Sequence, residues 1–264
     1  MASGSRSANI PWLVLRAELV GTAALVLVGL SLVILMFGEG SPIPSVLPSE
    51  GWRRWITGFM FGTTGALIAL SPVGRRSGAH INPIVTLAFC LMGKLDLRTS
   101  LGYVVAQLAG AILGSLPLLA WGVMGQSVAF GATIPGEGYR IGAVLLGEVV
   151  TTCAMVTLLC VFLGFRRLRP FTPMIFPILY AVMVYAESPI SGTSTNPARS
   201  LGPALISGRW DDWWIYWVGP VIGSVVACVA CSALAKRITV AKLYHFDSDR
   251  DALFRRASRK PATS

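Results

Sequence analysis

Ser191-Gly192-Thr193-Ser194-Thr195-Asn196-Pro197-Ala198-Arg199-Ser200-Leu201-Gly202 is the stretch from which the fold can be read. Asn196 can cap a helix with its side-chain oxygen, and Pro197 suits the first helical position, where no N–H is required. The pattern predicts a helix from Ala198 to about Leu205 that stops near Gly208. Such a helix is too short to cross a bilayer, which takes roughly 20 apolar residues. Arg199 stands one turn in and can share a side with Asn196. A cation beside a helix N-terminus opposes the dipole, which points to a use for it. Ser77-Gly78-Ala79-His80-Ile81-Asn82-Pro83-Ile84 repeats the device and leads into a second short apolar helix, Ile84 to Met92.

Six long apolar segments surround these two: Pro11–Phe37, Trp52–Leu70, Leu101–Trp121, Ile141–Gly164, Phe171–Ala186 and Trp213–Ala235. Each is near the length that spans a bilayer. The 264 residues are 54% hydrophobic and only 13% charged, against about 25% charged in soluble domains. The chain therefore reads as an all-α, multi-pass membrane protein. The Asn-Pro segments fall between spans two and three and between spans five and six. Irregular backbone at membrane depth survives only against protein or a water-filled cavity, so both read as re-entrant half-helices. No removable signal peptide is expected, because no small-residue cleavage site follows a brief apolar core.

The net charge of +10 could suggest nucleic acid, but its placement does not. With both termini cytoplasmic, the inner loops and tails collect Arg16, Arg75, Arg76, Lys94, Arg98, Arg166, Arg167, Arg169, Lys236, Arg237 and Lys242, among others. Outside fall Arg53, Arg54, Arg140 and Arg209. This asymmetry follows the positive-inside rule and explains the basic balance without a nucleic-acid partner. The five cysteines lie in apolar segments without metal-ligand spacing and read as packing residues. No metal site, cofactor site, nucleophile–base pair or phosphate loop is found, so an enzyme is not expected.

The halves repeat. Glu18-Leu19-Val20-Gly21-Thr22 in span one matches Glu148-Val149-Val150-Thr151-Thr152 in span four. Gly110 and Gly114 in span three match Gly219 and Gly223 in span six, spacings that suit close helix crossings. Three spans per half invert the second half relative to the first, which puts a site at the midplane between half-helix N-termini. Each N-terminus contributes about half a positive charge there.

With its two boxes, Asn82-Pro83-Ile84 and Asn196-Pro197-Ala198-Arg199, the chain resembles the aquaporin (major intrinsic protein) family. The resemblance covers about Pro11 to Ala235. It implies six transmembrane helices with two half-helices, an inner cell membrane location and a homotetramer with one pore per subunit. It divides the chain into an N-terminal tail over 1–10, a channel domain over 11–235 and a basic tail over 236–264. The repeats would cover about 11–122 and about 140–235. Asn82 and Asn196 would present amide donors to a single file of water, and the dipoles with Arg199 would oppose protons and cations.

By the same resemblance Arg199 belongs to a narrow selectivity filter. Its other positions fall at Val184, at Thr193, and at Phe61 or Gly62, depending on one residue of gap in span two. Val184 stands where water-selective members carry His, which suggests a wider and less polar filter. Ser200 stands where glycerol facilitators carry Asp, and Ala204 with Tyr216-Trp217 resembles the water-channel subgroup. The balance favours water, with leakage of small neutral solutes. The alternative is a facilitator of glycerol, urea, ammonia or metalloid acids. Glu18 and Glu148 are membrane carboxylates whose matched places suggest support of the re-entrant backbone; the other use is a proton relay in a coupled transporter. His80 reads as a loop-supporting residue with pH gating as the alternative, and Gln107 as an interhelical hydrogen bonder. The basic tail reads as solvated or resting on anionic lipid.

Overall fold

A computed structural model describes residues 12–239 and 241–243. The sequence-read tail over 1–10 and most of the basic tail lie outside these residues. Six long helices carry the fold: α1 (Trp12–Phe37), α2 (Glu50–Leu70), α4 (Leu97–Ser115), α5 (Ile141–Gly164), α6 (Thr172–Ser191) and α8 (Ile215–Ala230). Two short ones, α3 (Pro83–Leu91) and α7 (Pro197–Ser207), begin at the two asparagines.

Helix starts follow local chemistry. The side chain of Ser49 caps α2 at Trp52 N, and Asp96 caps α4 at Thr99 N, 2.9 Å away. The ends of α6 and α7 are turned by Gly192 and Gly208 in the left-handed region. Helix α6 runs five residues beyond the expected Ala186, to Ser191, with Pro177 and Pro189 inside it.

Four stretches, containing α1, α4, α5 and α6, are long and apolar enough to cross a membrane by themselves. The other two expected spans fall short of that for identifiable reasons. Helix α2 carries Glu50, Arg53 and Arg54 in its first turns, and α8 has 16 residues. At 1.5 Å per residue α8 is about 24 Å long, against about 30 Å of hydrocarbon. It is followed by a further turn of helix, Ser232–Ala235.

The polarity of the bundle is that of a protein in lipid. Large apolar side chains such as Val20, Leu67, Val105, Leu146, Val182 and Val229 are exposed. Glu18, Gln107, Thr152 and Glu148 are fully buried. Three long pairs organise the packing: α1 with α4, α5 with α8, and α2 with α6 across the repeat boundary. The glycine spacing explains these approaches. A Cβ on Gly110 or Gly114 would meet the backbone oxygens of Leu19 or Ala23 in α1. A Cβ on Gly219 would press on Glu148, and one on Gly223 on Val149 O of α5. The short helix α3 packs on α8, and α7 packs on α4, so each half-helix touches the last long helix of the other repeat.

Candidate functional site

Each half-helix is entered through a loop with the same backbone. Gly78 and Gly192 take φ of 93° and 85°, positions that glycine adopts freely. Ala79 and Ile81 follow at 55° and 42°, and Thr193 and Thr195 at 52° and 49°. Asn82 and Asn196 then return to extended backbone. Left-handed conformation at a β-branched residue costs on the order of 1–3 kcal/mol and persists only where the surroundings hold it.

The surroundings are two buried carboxylates. Glu18 accepts His80 N at 3.0 Å on Oε1 and Ile81 N at 2.7 Å on Oε2. Gln107 Nε2 donates to the same Oε2 at 2.7 Å and to Thr86 Oγ1 at 2.9 Å. Glu148 accepts Ser191 Oγ at 2.6 Å and Ser194 N at 2.7 Å on Oε1, and Thr195 N at 2.9 Å on Oε2. Charge-assisted bonds of this kind are roughly twice as strong as neutral ones. Both carboxylates therefore act on matched amides of the two loops.

The asparagines hold both their own helix and the opposite loop. Asn82 Oδ1 accepts Ile84 N at 2.8 Å; Asn196 Oδ1 accepts Ala198 N at 3.1 Å and Arg199 N at 3.3 Å. Asn82 Nδ2 donates to Thr195 O, and Asn196 Nδ2 to Ile81 O, each at 3.0 Å. The sequence reading presented these amides to a pore and did not foresee a bond between the loops: each amide spends one of its two hydrogens on the facing loop and keeps one. The tips are thereby clamped together, and both asparagines line an inner cavity of about 40 Å³ with His80 and Ile81.

An outer cavity of about 240 Å³ is lined by Val184, Thr193 and Arg199, together with Phe61 and Tyr180. Phe61 and Tyr180 also border the inner cavity, so these two rings, 5.7 Å apart at their centroids, stand where the two meet. Of the two candidates in α2, Phe61 borders both cavities. Gly62 borders only the inner one, and its missing Cβ would fall on the backbone oxygen of Phe176 in α6. Arg199 donates from Nη1 to Gly131 O at 2.6 Å, and its guanidinium lies 6.0 Å from the Phe61 ring centroid. Its partner is thus a loop carbonyl rather than a carboxylate.

Two residues in this region were not singled out in the sequence. Tyr180 precedes Val184 by one helical turn, a spacing that could have found it. Its hydroxyl is 2.9 Å from Thr195 Oγ1. Glu187 is buried, and its Oε2 accepts the Thr193 hydroxyl at 2.5 Å. Pro83, Ile84, Pro197 and Ala198 occupy the first turns of α3 and α7 and are buried. Ser200 lies in a chain of hydroxyls, accepting from Thr133 at 2.7 Å and meeting Ser194 at 2.5 Å.

His80 stacks on Phe89, with centroids 4.7 Å apart, and its Nδ1 is 3.1 Å from Thr86 Oγ1. Its Nε2 faces Ala241 O at 3.0 Å, which marks Nε2 as the protonated nitrogen. The described start of the basic tail is only in part solvated, as its composition suggested: Lys236, Arg237 and Thr239 are exposed, but the described residues between and after them turn inward. Ile238, Ala241, Lys242 and Leu243 are buried, and Leu243 N donates to Gly78 O at 3.0 Å. Apolar side chains within a basic stretch have found an apolar surface.

A family model described as Major intrinsic protein matches residues 6–230. The chain is 32% identical over 224 residues to aquaporin-4 of Mus musculus, covering 82% of this chain and 65% of that protein. It is 40% identical over 152 residues to aquaporin TIP4-4 of Zea mays, covering 57% of this chain and 60% of that one. Against the lens fiber major intrinsic protein of Gallus gallus it is 30% identical over 227 residues, covering 76% and 83%. The chain thus spans less than two thirds of the maize and mouse relatives. The fold is similar to that of the aquaglyceroporin from Plasmodium falciparum, with a TM-score of 0.66, 19% identity, and coverage of 85% of this chain and 98% of that one.

Proposed function

The chain belongs to the major intrinsic protein family, and from that premise we propose that it is a passive membrane channel conducting water while excluding protons and ions. The observation that carries this reading is the reciprocal clamp, Asn82 to Thr195 O and Asn196 to Ile81 O, beside a cavity that both asparagines line. The second amide hydrogen of each asparagine is left for a molecule in that cavity. A water accepting from both would point its own hydrogens away along the path in opposite directions, which interrupts proton hopping. The two half-helix N-termini and Arg199 add positive potential at the same depth.

The proposed filter is Phe61, Val184, Thr193 and Arg199, with Tyr180 opposite Phe61 at its inner edge. Gly62 serves the α2–α6 crossing in this reading. Glu18, Glu148, Gln107 and His80 support the loops. The basic inner loops orient the chain with both termini cytoplasmic, and the assembly is a homotetramer with one pore per subunit. The division into tail, two repeats and tail follows the sequence boundaries, with the repeat pairs α1–α4 and α5–α8 as its physical basis.

Val184 favours a second reading, a facilitator of small neutral solutes such as glycerol or urea, because that wall of the outer cavity offers no donor. A proton-coupled transporter using Glu18 and Glu148 is disfavoured, since both carboxylates are occupied by fixed donors. Stopped-flow permeabilities of proteoliposomes test the proposal. Fast water entry with slow glycerol entry is expected; fast glycerol with slow water would reject it in favour of the facilitator.

A further inference from the structure

We propose that Glu187 is a specificity-determining residue, acting through Thr193, on the reading of Thr193 as a filter residue. Glu187 stands on α6 three residues beyond Val184, only 6% exposed. Thr193 has one hydroxyl hydrogen, and it is directed away from the outer cavity to Glu187 Oε2 at 2.5 Å. The Thr193 oxygen is thereby left as an acceptor only, while Arg199 on the same cavity is a donor only. A solute hydroxyl, which both gives and takes, meets a matched pair.

The place for the carboxylate is built into the fold. Gly147 of α5 lies against Glu187 Oε1, where any Cβ would collide with it. That Oε1 is buried without a hydrogen-bond partner among the described residues. A buried group so poorly satisfied is an unfavourable choice for packing alone.

The test is a double-mutant cycle on the ratio of glycerol to water permeability in proteoliposomes. E187L frees the Thr193 hydroxyl to rotate and donate, and should shift the ratio about fivefold, the scale of one net hydrogen bond. In a T193V background the same E187L change should leave the ratio where T193V alone sets it. An equal shift in both backgrounds, or none in either, overturns the proposal. If E187L does not fold, E187M, which also lacks an acceptor for the Thr193 hydroxyl, is carried through the same cycle. The absolute wild-type ratio tests the water reading separately, because only shifts within the series bear on Glu187.

A different set of residues carries a second inference: the geometry points to Ala241–Leu243 as a plug on the conduit at the end away from Arg199. Leu243 lines the inner cavity beside His80, Ile81, Asn82 and Asn196. Its backbone N donates to Gly78 O at 3.0 Å, Ala241 O accepts His80 Nε2 at 3.0 Å, and Lys242 Nζ donates to Arg75 O at 3.2 Å. Gly78, at φ 93°, has no room for a Cβ because Ala241 O occupies that space. The first repeat thus holds this segment by three hydrogen bonds, and Leu243 lines the same cavity as the clamped asparagines.

Per-channel flux of the full chain, of L243A, and of a chain ending at Lys236 tests this, using whichever of water and glycerol the wild type passes faster. Both changes should raise the flux severalfold at equal reconstituted protein. Unchanged or lower flux in L243A overturns the plug. Where the truncated chain fails to fold, L243D replaces it, since a charge in the same site should expel the segment. Raised flux in L243D supports the plug, and unchanged or lower flux overturns it.

Discussion

Replacing Glu148 separates a structural carboxylate from a working one. In Glu148→Ala three buried donors lose their acceptor: Ser191 Oγ, Ser194 N and Thr195 N. Each orphaned donor costs about 1–3 kcal/mol, so the loop loses on the order of 3–9 kcal/mol, which is much of the stability of a typical domain. The loss falls on a segment already holding Thr193 and Thr195 in the left-handed region. In Glu148→Gln the retained oxygen still serves Ser191 and Ser194, and only Thr195 N faces an amide donor. One bond is affected, at about 1–3 kcal/mol. The expected order of resistance to heat and SDS, followed by size-exclusion profile and tryptophan fluorescence, is wild type, then Gln, then Ala. Water flux of the Gln variant should persist. An Ala variant as stable as wild type would refute the supporting role. A Gln variant of normal stability with no flux, in a wild type whose transport follows a pH gradient, would establish the relay instead.

Gly62→Ala should open the α2–α6 crossing, because the new Cβ meets backbone at Phe176 rather than a movable side chain. A cost of at least about 1–3 kcal/mol is expected, read as lower thermal stability of the purified protein; an unchanged melting profile rejects that packing. Arg199→Val removes the donor to Gly131 O and the charge beside Phe61. Glycerol and urea uptake should rise by roughly ten- to a hundredfold, the scale of one charged hydrogen bond of about 1.5–3 kcal/mol, and unchanged solute selectivity argues against its filter role. Mercuric chloride should leave water flux nearly untouched, since Thr193 offers no thiol and none of the five cysteines lines the outer cavity. Strong, reversible block abolished by Cys90→Ser would instead put Cys90 on the path.

What was legible in the chain, and what was not, divides along physical lines. The starts of the half-helices were legible because Asn-Pro is a local signal, and α3 and α7 begin where the caps predict; the limits of the long helices were less so, α4 running Leu97–Ser115 against the expected Leu101–Trp121. That Gly110, Gly114, Gly219 and Gly223 mark close crossings was legible from their spacing, but that their partners are α1 and α5 was not, because spacing names no partner. Phe61 and Gly62 could not be told apart because neighbours on a helix differ by about 100° of rotation, and only the position of α6 decides which faces it. The turn inward at Ile238 and Ala241–Leu243 was not legible because charge dominates the composition of that stretch, while single apolar side chains act one at a time.

The two loops are alike in path and unlike in sequence. Ser77 to Asn82 and Ser191 to Asn196 share only Ser, Gly and Asn at matched places, yet their backbone angles agree closely. The conformation is therefore imposed by what they share: a left-handed glycine, an asparagine cap before proline, and a buried carboxylate binding the two intervening amides. The three side chains between glycine and asparagine are released from that task. On one side they are Ala79, His80 and Ile81, where His80 reaches the Ala241 carbonyl; on the other they are Thr193, Ser194 and Thr195, where Thr193 reaches Glu187. A symmetric frame with asymmetric tips is what a conduit with two different mouths requires. It implies that exchanging Ala79-His80-Ile81 for Thr-Ser-Thr would preserve the loop's fold while removing the His80 bond to the Ala241 carbonyl and leaving the backbone bond from Leu243 N to Gly78 O.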